Sequence, residues 1–351
     1  MSGLFEGKRI LVTGGTGSLG QVLVRRLMSG AEGVPESVTV FSRDEAKQHY
    51  MRLDFMHNPA ATDEVIFQNC RERLKFVIGD VRDYTSVVRV ARNKEIIFAA
   101  AALKQVPSCE YFPWEAVRTN IEGAENLVRA ISQYDIPVET VMGISTDKAC
   151  KPVNVMGMTK AIQERVYIEG NLRAPETRFI CARYGNVLAS RGSVVPLFLD
   201  QIKAGGPVTI TTRDMTRFLL TLEDAVDTIF AAIRSGEPGE TYIPRCPSAL
   251  MTDLAAFLIG DRPIKTVITG IRPGEKIHES LISEEEATRT VFGHEGYYAL
   301  RPMLPELAGP VETPALDGKY SSDKALMTPE ELAQFLAVKM PEVVGQRYLE
   351  A

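Results

Sequence analysis

Several familiar signals are missing from this chain of 351 residues. It has no run of lysine and arginine and no basic residues interleaved with aromatics, and its formal net charge is −5. That excludes nucleic acid as the main partner. No apolar stretch is long enough to span a bilayer; the longest, Ile96 to Leu103, reads as a buried strand. The start, Met1 to Ile10, has no apolar core behind a basic head, so no signal peptide is expected. The five cysteines (Cys70, Cys109, Cys150, Cys181, Cys246) include no Cys-x-x-Cys pair, which points to reduced thiols. The four histidines are dispersed, and no metal site is expected. No internal repeat or low-complexity segment is found. These absences together fit a soluble cytoplasmic enzyme.

The chain does contain 45% hydrophobic and 24% charged residues, ordinary for a globular protein with an ample core. The first half alternates short apolar segments with helical patterns. Strands are expected at Arg9–Val12, Val38–Phe41, Lys75–Ile78, Ile96–Ala99, Thr140–Ile144 and Phe179–Arg183. Helices are expected at Gln21–Met28, Thr85–Val90, Ala116–Ser132 and Thr159–Glu169. Strands this short and this apolar suit a parallel sheet covered on both faces. The fold class expected is α/β, a doubly wound parallel sheet with a smaller interleaved C-terminal lobe. Residues 1–185 form the sheet domain, with 219–240 returning to it, and 186–218 with 241–351 form the lobe. Further helices are expected at Leu222–Arg234 and Thr252–Leu258, and another begins at Thr328-Pro329 with threonine as its cap.

Thr13-Gly14-Gly15-Thr16-Gly17-Ser18-Leu19-Gly20 lies between the first strand and the first helix. Glycines at 14, 17 and 20 permit a tight turn, close approach of a pyrophosphate and close helix packing. The phosphates then sit on free N–H groups at the helix start. Placed there, the string predicts a Rossmann dinucleotide site. The second strand ends in Ser42-Arg43-Asp44, with Lys47 nearby, which suits a 2′-phosphate and favours NADP. The alternative leaves Arg43 in solvent and gives the ribose to Asp44. Asp80 and Val81, after the third strand, are placed to flank the adenine. Ala100 and Ala101, after the fourth, let the backbone approach the cofactor.

Ser145-Thr146-Asp147-Lys148 precedes Met156-Gly157-Met158-Thr159-Lys160. Lys160 has the spacing of the lysine in Tyr-x-x-x-Lys, with Met156 in the tyrosine position. An acid and an amine side by side upstream suggest that proton transfer has passed to Asp147 and Lys148. Lysine can act as a base only if burial lowers its pKa, and aspartate as an acid only if its own is raised. A closed, water-poor pocket is expected to do both.

These motifs resemble the extended short-chain dehydrogenase/reductase family. Within it, Phe41-Ser42-Arg43-Asp44-Glu45, Ala102 to Pro107, Ser145 to Ala149, Arg183 to Val187, Ser190 to Val194, Met215 to Phe218 and Arg272 to Lys276 resemble the soluble UDP-N-acetylglucosamine 4,6-dehydratases of bacterial surface-polysaccharide synthesis. The resemblance runs from about residue 7 to 285 and more loosely onward. It implies an NADP enzyme that oxidises C4 of a UDP-sugar, eliminates water across C5 and C6, and returns hydride to C6. In it Lys148 takes the C5 proton, Asp147 protonates the C6 oxygen, Thr146 holds the C4 hydroxyl and Lys160 bonds the nicotinamide ribose. Met156 departs from the tyrosine, so the C4 proton falls to Lys148, to Thr146 with water, or to Lys160 with the ribose. The motifs assign the nucleotide-sugar to Asn186, Arg191, Ser193, Arg217, Arg272 and Glu275, with Lys104 near it. Arginines suit a diphosphate and Glu275 a ribose diol. Glu110 and His278 are read as structural. The resemblance also implies a homo-oligomer. The rivals are a nucleotide-sugar epimerase or reductase of the same fold, an enzyme joining dehydration to C5 inversion, and a non-catalytic NADP-binding protein.

Overall fold

The computed structural model describes residues 3–57, 73–188, 193–309 and 313–342. Six parallel strands form its centre: β1 (Arg9–Thr13), β2 (Ser37–Ser42), β3 (Leu74–Ile78), β4 (Ile96–Ala99), β5 (Thr140–Ile144) and β6 (Arg178–Ala182). The chain runs outward from β1 through β2 to β3, then crosses back to place β4, β5 and β6 on the other side of β1. The sequence order therefore reverses between β1 and β4, and in sheets of this kind the crevice outside the strands' carboxyl ends holds the ligand.

The sheet continues past β6. Thr241–Ile243 adds in parallel, and Tyr298–Leu300 and Thr290–Phe292 add antiparallel, making nine strands. Segments 241–243 and 290–300, expected in the smaller lobe, are thus part of the main sheet. The helix Leu222–Ser235 packs against the sheet. Its Val226, Ile229 and Phe230 share one core with Leu23 and Leu27 of the first helix and with β1 and β4. A separate core is built from Val195 and Phe198 of the helix Val194–Lys203, Leu254 and Leu258 of Met251–Ile259, and Leu332 and Leu336 of Pro329–Lys339. Thr328 caps the last helix and pairs with Glu331 in a reciprocal capping box. No helix among the described residues is long and apolar enough to cross a membrane.

Candidate active site

The predicted cofactor residues line up along the carboxyl edge of the sheet. After β1, Gly14 has φ +66°, and a Cβ there would lie 2.8 Å from the backbone of Ala101, just beyond β4. A Cβ on Gly20 would lie 2.5 Å from Gly15, so the first helix passes directly over the turn. That helix begins at Ser18 with Leu19 next, and its cap, Gly17, offers no side chain to the first N–H groups. Free donors at a helix start, beneath a backbone that only glycine allows, fit a pyrophosphate. Thr13 and Thr16 are buried beside the turn, and Thr13 Oγ1 accepts from Ala101 N (3.2 Å), tying β1 to Ala100-Ala101.

At the tip of β2, Ser42 Oγ accepts from Gln48 (3.0 Å), and Arg43 and Lys47 stand about half exposed. Each faces a carboxylate: Arg43 lies 3.8 Å from Asp80 and Lys47 2.6 Å from Asp44. Asp80 is held mainly by Arg82 (2.7 Å), and Val81 packs against Gly123.

The Asp-Lys pair sits in a short helical turn after β5. Backbone bonds from Ser145 to Ala182 and from Asp147 to Tyr184 join this turn to β6 and the chain beyond it. Lys148 Nζ lies 3.0 Å from Asp147 Oδ1 and 3.1 Å from Asn186 Oδ1, and Thr146 Oγ1 also donates to Asp147 Oδ1 (2.9 Å). The Lys148 side chain keeps 24% of its surface and that of Asp147 only 1%. The site is therefore reached through Lys148 and Thr146, with Asp147 behind them. Asp147 Oδ2 has no hydrogen-bond partner among the described residues.

The expected lowering of the Lys148 pKa is not found. Burial does pull the ammonium down, but Asp147 and a second carboxylate, Glu279, outweigh it and hold the pKa above its ordinary value. Glu279 lies 3.7 Å from Lys148 Nζ, is nearly sealed from solvent, and was not singled out by any motif.

The helix Val155–Arg173 begins beside this turn, capped by Asn154, whose Oδ1 accepts from Gly157 N (2.8 Å). A Cβ on Gly157 would lie 2.2 Å from the carbonyl of Lys148, so only glycine lets helix and turn pack this closely. Met156 is buried in a small apolar cluster with Cys109 and Ala116. It forms wall, and a thioether there moves no proton. Lys160 is also buried; its Nζ donates to the Ile144 carbonyl and to Gln163 Oε1, and burial lowers its pKa to about 8. Two of the three Lys160 ammonium donors are thus used within the protein. Asn120, in a widened helical turn at Val117–Glu122, bonds both ways with the Leu103 backbone and donates to Thr159 Oγ1 (3.0 Å). It links the cofactor edge to the helix carrying Lys160, and the sequence reading missed it.

The substrate candidates divide. Asn186 is at the centre. Ser193 caps the helix Val194–Lys203 with its Oγ buried and without a hydrogen-bond partner among the described residues. Arg272 is exposed, and its N–H approaches Glu275 Oε2 (3.4 Å). Lys104 is exposed beyond β4. Arg191 lies outside the described residues. Arg217 corrects its assignment. Its guanidinium is buried and donates to the carbonyls of Thr216, Ile277 and Lys276 at 2.7–3.0 Å, so it clamps the 276–279 segment rather than offering itself to a diphosphate. His278 Nδ1 lies 2.9 Å from Thr216 Oγ1, and Glu110 accepts from Val155 N.

The glycine cradle at the switch point and the Asp-Lys turn beyond β5 define the class: a Rossmann-fold protein of the extended short-chain dehydrogenase/reductase type. Residues 10–301 match the model of the polysaccharide biosynthesis protein family, and the chain belongs to that family. Among curated relatives, a UDP-glucose 4-epimerase of Rickettsia conorii is 43% identical over 291 residues, 82% of this chain and 81% of its own. The solved structure of Pen from Bacillus thuringiensis is 32% identical and covers 95% of this chain and 98% of that one, with a TM-score of 0.83. DesIV, the dTDP-glucose 4,6-dehydratase of Streptomyces venezuelae solved with NAD and TYD bound, shares the fold at 22% identity and a TM-score of 0.64, over 77% of this chain and 86% of that one.

Proposed function

We propose that the protein is an NADP-dependent 4,6-dehydratase of UDP-N-acetylglucosamine that supplies a 4-keto-6-deoxy sugar to surface-glycan synthesis. The observation that carries this reading is the Asp147–Lys148 pair itself, set at the carboxyl end of β5 in a site whose tyrosine position holds a packed methionine.

Elimination across C5 and C6 needs a base at one carbon and an acid at the neighbouring oxygen at the same moment. As an ion pair, Asp147 and Lys148 supply neither. Moving one proton from Lys148 Nζ to Asp147 Oδ1, 3.0 Å away, produces an amine and a carboxylic acid together. Expulsion of water by the bound sugar favours that neutral form, because burial penalises both charges. Lys148 then takes the C5 proton, Asp147 gives its own to the departing C6 oxygen, and the ion pair is restored. The dinucleotide supplies the hydride acceptor at C4 and the hydride donor at C6. Thr146, bonded to Asp147 Oδ1, is the hydroxyl we assign to hold the C4 oxygen, since Met156 cannot; the C4 proton leaves to solvent as hydride departs, and Lys148, after returning a proton to C5, regains one from solvent. Arg272 and Ser193 are assigned to the diphosphate and Glu275 to the nucleoside ribose.

NADP is favoured by Arg43 and Lys47, which flank the β2 tip and can exchange their carboxylate partners for a 2′-phosphate. Arg43→Ala should weaken NADP about 10–100-fold, as expected for one hydrogen bond to a charged group, and leave NAD nearly unaffected. Titrations of both dinucleotides check this, and equal losses would return the ribose to Asp44.

The name borne by the Rickettsia relatives favours a second reading, a nucleotide-sugar 4-epimerase. An epimerase returns hydride to C4 and has no use for an acid–base pair at C5 and C6. Mass spectrometry of UDP-N-acetylglucosamine after incubation separates the two. The dehydratase product lacks one water, whereas a product of unchanged mass with inverted C4 would establish the epimerase.

A further inference from the structure

Three charged groups besides Asp147 bear on the reacting turn from the C-terminal half of the chain. Glu279 lies 3.7 Å from Lys148 Nζ, Lys276 lies 3.9 Å from Glu279, and the Arg217 guanidinium stands near enough to act on Lys148 through its charge. Glu279 is placed with some care. Its N–H donates to Ser322 Oγ (3.0 Å), its carbonyl accepts from Ser322 N (2.8 Å), and Arg217 holds the carbonyls of Lys276 and Ile277 just before it. The carboxylate is nevertheless poorly satisfied. It is buried, and its Oε2 has no hydrogen bond among the described residues. A buried carboxylate with so few donors is unfavourable unless a nearby cation answers it. Among the described residues, the cation nearest to it is Lys148.

We propose that Glu279 is a positioning residue that holds the Lys148 ammonium beside Asp147 and sets the pH range in which that pair carries the single proton elimination requires. This rests on the dehydratase reading. Asp147 and Lys148 work as a unit only while they share one proton. A second proton removes the base, and loss of the first removes the acid. A fixed negative charge at Glu279 stabilises every protonated state of the pair, so both edges of the working range lie higher than they would without it. The direction agrees with the raised pKa of Lys148, to which Glu279 contributes after burial and Asp147.

The test is the rate of deuterium entry at C5 of UDP-N-acetylglucosamine, measured against pH with the full chain saturated with NADP. In Glu279→Gln, which keeps the shape and removes the charge, the whole bell-shaped profile should slide down by about one pH unit, the size expected for one charge within hydrogen-bonding range. A profile merely lowered in height, with its edges unmoved, would assign Glu279 a structural role and overturn the proposal while leaving the dehydratase intact. Absence of C5 exchange in the unaltered protein, with sugar and dinucleotide bound, would instead overturn the dehydratase reading and this inference with it. Should Glu279→Gln not fold, Glu279→Asp draws the charge back by one methylene. A smaller slide in the same direction supports the proposal, and an unmoved profile contradicts it.

Discussion

Lys148→Ala should reduce 4-keto-6-deoxy product and C5 exchange together by about 10²–10⁴-fold, the usual contribution of a positioned general base. Lys148 is the only member of the pair with appreciable exposed surface, so among the described residues no other base stands ready to reach C5 in its place. Asn186 is bonded to Lys148 but carries an amide, and Glu279 is sealed behind it. The cofactor cradle lies on the far side of β4 from this turn and depends on Gly14, Gly17 and Ala101, so dinucleotide affinity should be retained. Binding titration of the dinucleotide beside the turnover assay checks both halves. Near-normal turnover would remove Lys148 from the chemistry. Loss of dinucleotide binding would mean that the turn is structural.

Arg183→Met should destabilise the fold by about 3–5 kcal/mol, because it strips the partner from a buried ion cluster. Arg183 is almost completely buried. It donates two hydrogen bonds to Glu164 of the helix Val155–Arg173 and two to Glu286, and it also binds the Leu281 carbonyl. Ser145, the first residue of the reacting turn, donates to the same Glu164. The cluster therefore joins the central sheet, the helix bearing Lys160 and the segment after Glu279. Burial alone would raise the Glu286 carboxyl, but Arg183 outweighs it and holds the group at about 2. A carboxylate lowered in this way stabilises the fold above its unfolded pKa of about 4.3, and the contribution fades as pH falls from there through about 2. Urea unfolding at neutral pH measures the loss in Arg183→Met. A change below about 1 kcal/mol would show that the two carboxylates find other partners or protons.

The parallel half of the fold was legible because strands covered on both faces must be apolar along their whole length, and β4 and β5 match their expected spans residue for residue. The later sheet strands have three residues each, too few for any period to show, and Thr241–Ile243 joins β6 to Tyr298–Leu300, segments far from it in sequence. The helix Val194–Lys203 contains Pro196 near its start and follows a Gly-Ser segment, so its sequence reads as a loop before it reads as a helix. Site residues followed the same division. Glycines and the Asp-Lys pair were visible because their chemistry is local to one strand–turn–helix unit. Arg217 looked like a phosphate ligand because a sequence cannot show that its donors are already taken by the carbonyls of residues 276 and 277. Glu279 and the protonation of Lys148 were hidden for one shared reason: the pKa of a buried amine depends on every carboxylate the fold brings to it, and one of these comes from a distant segment.

In the reaction proposed above, the proton at C5 is removed and replaced by way of Lys148. The most direct test is to incubate the NADP-loaded protein with UDP-N-acetylglucosamine in deuterated water and read the product by NMR. The expected product is a 4-keto-6-deoxy sugar carrying deuterium at C5, because the ammonium formed at Lys148 exchanges with solvent before it returns a proton to carbon. A product with C4 inverted, C6 still hydroxylated and no deuterium at C5 would contradict it.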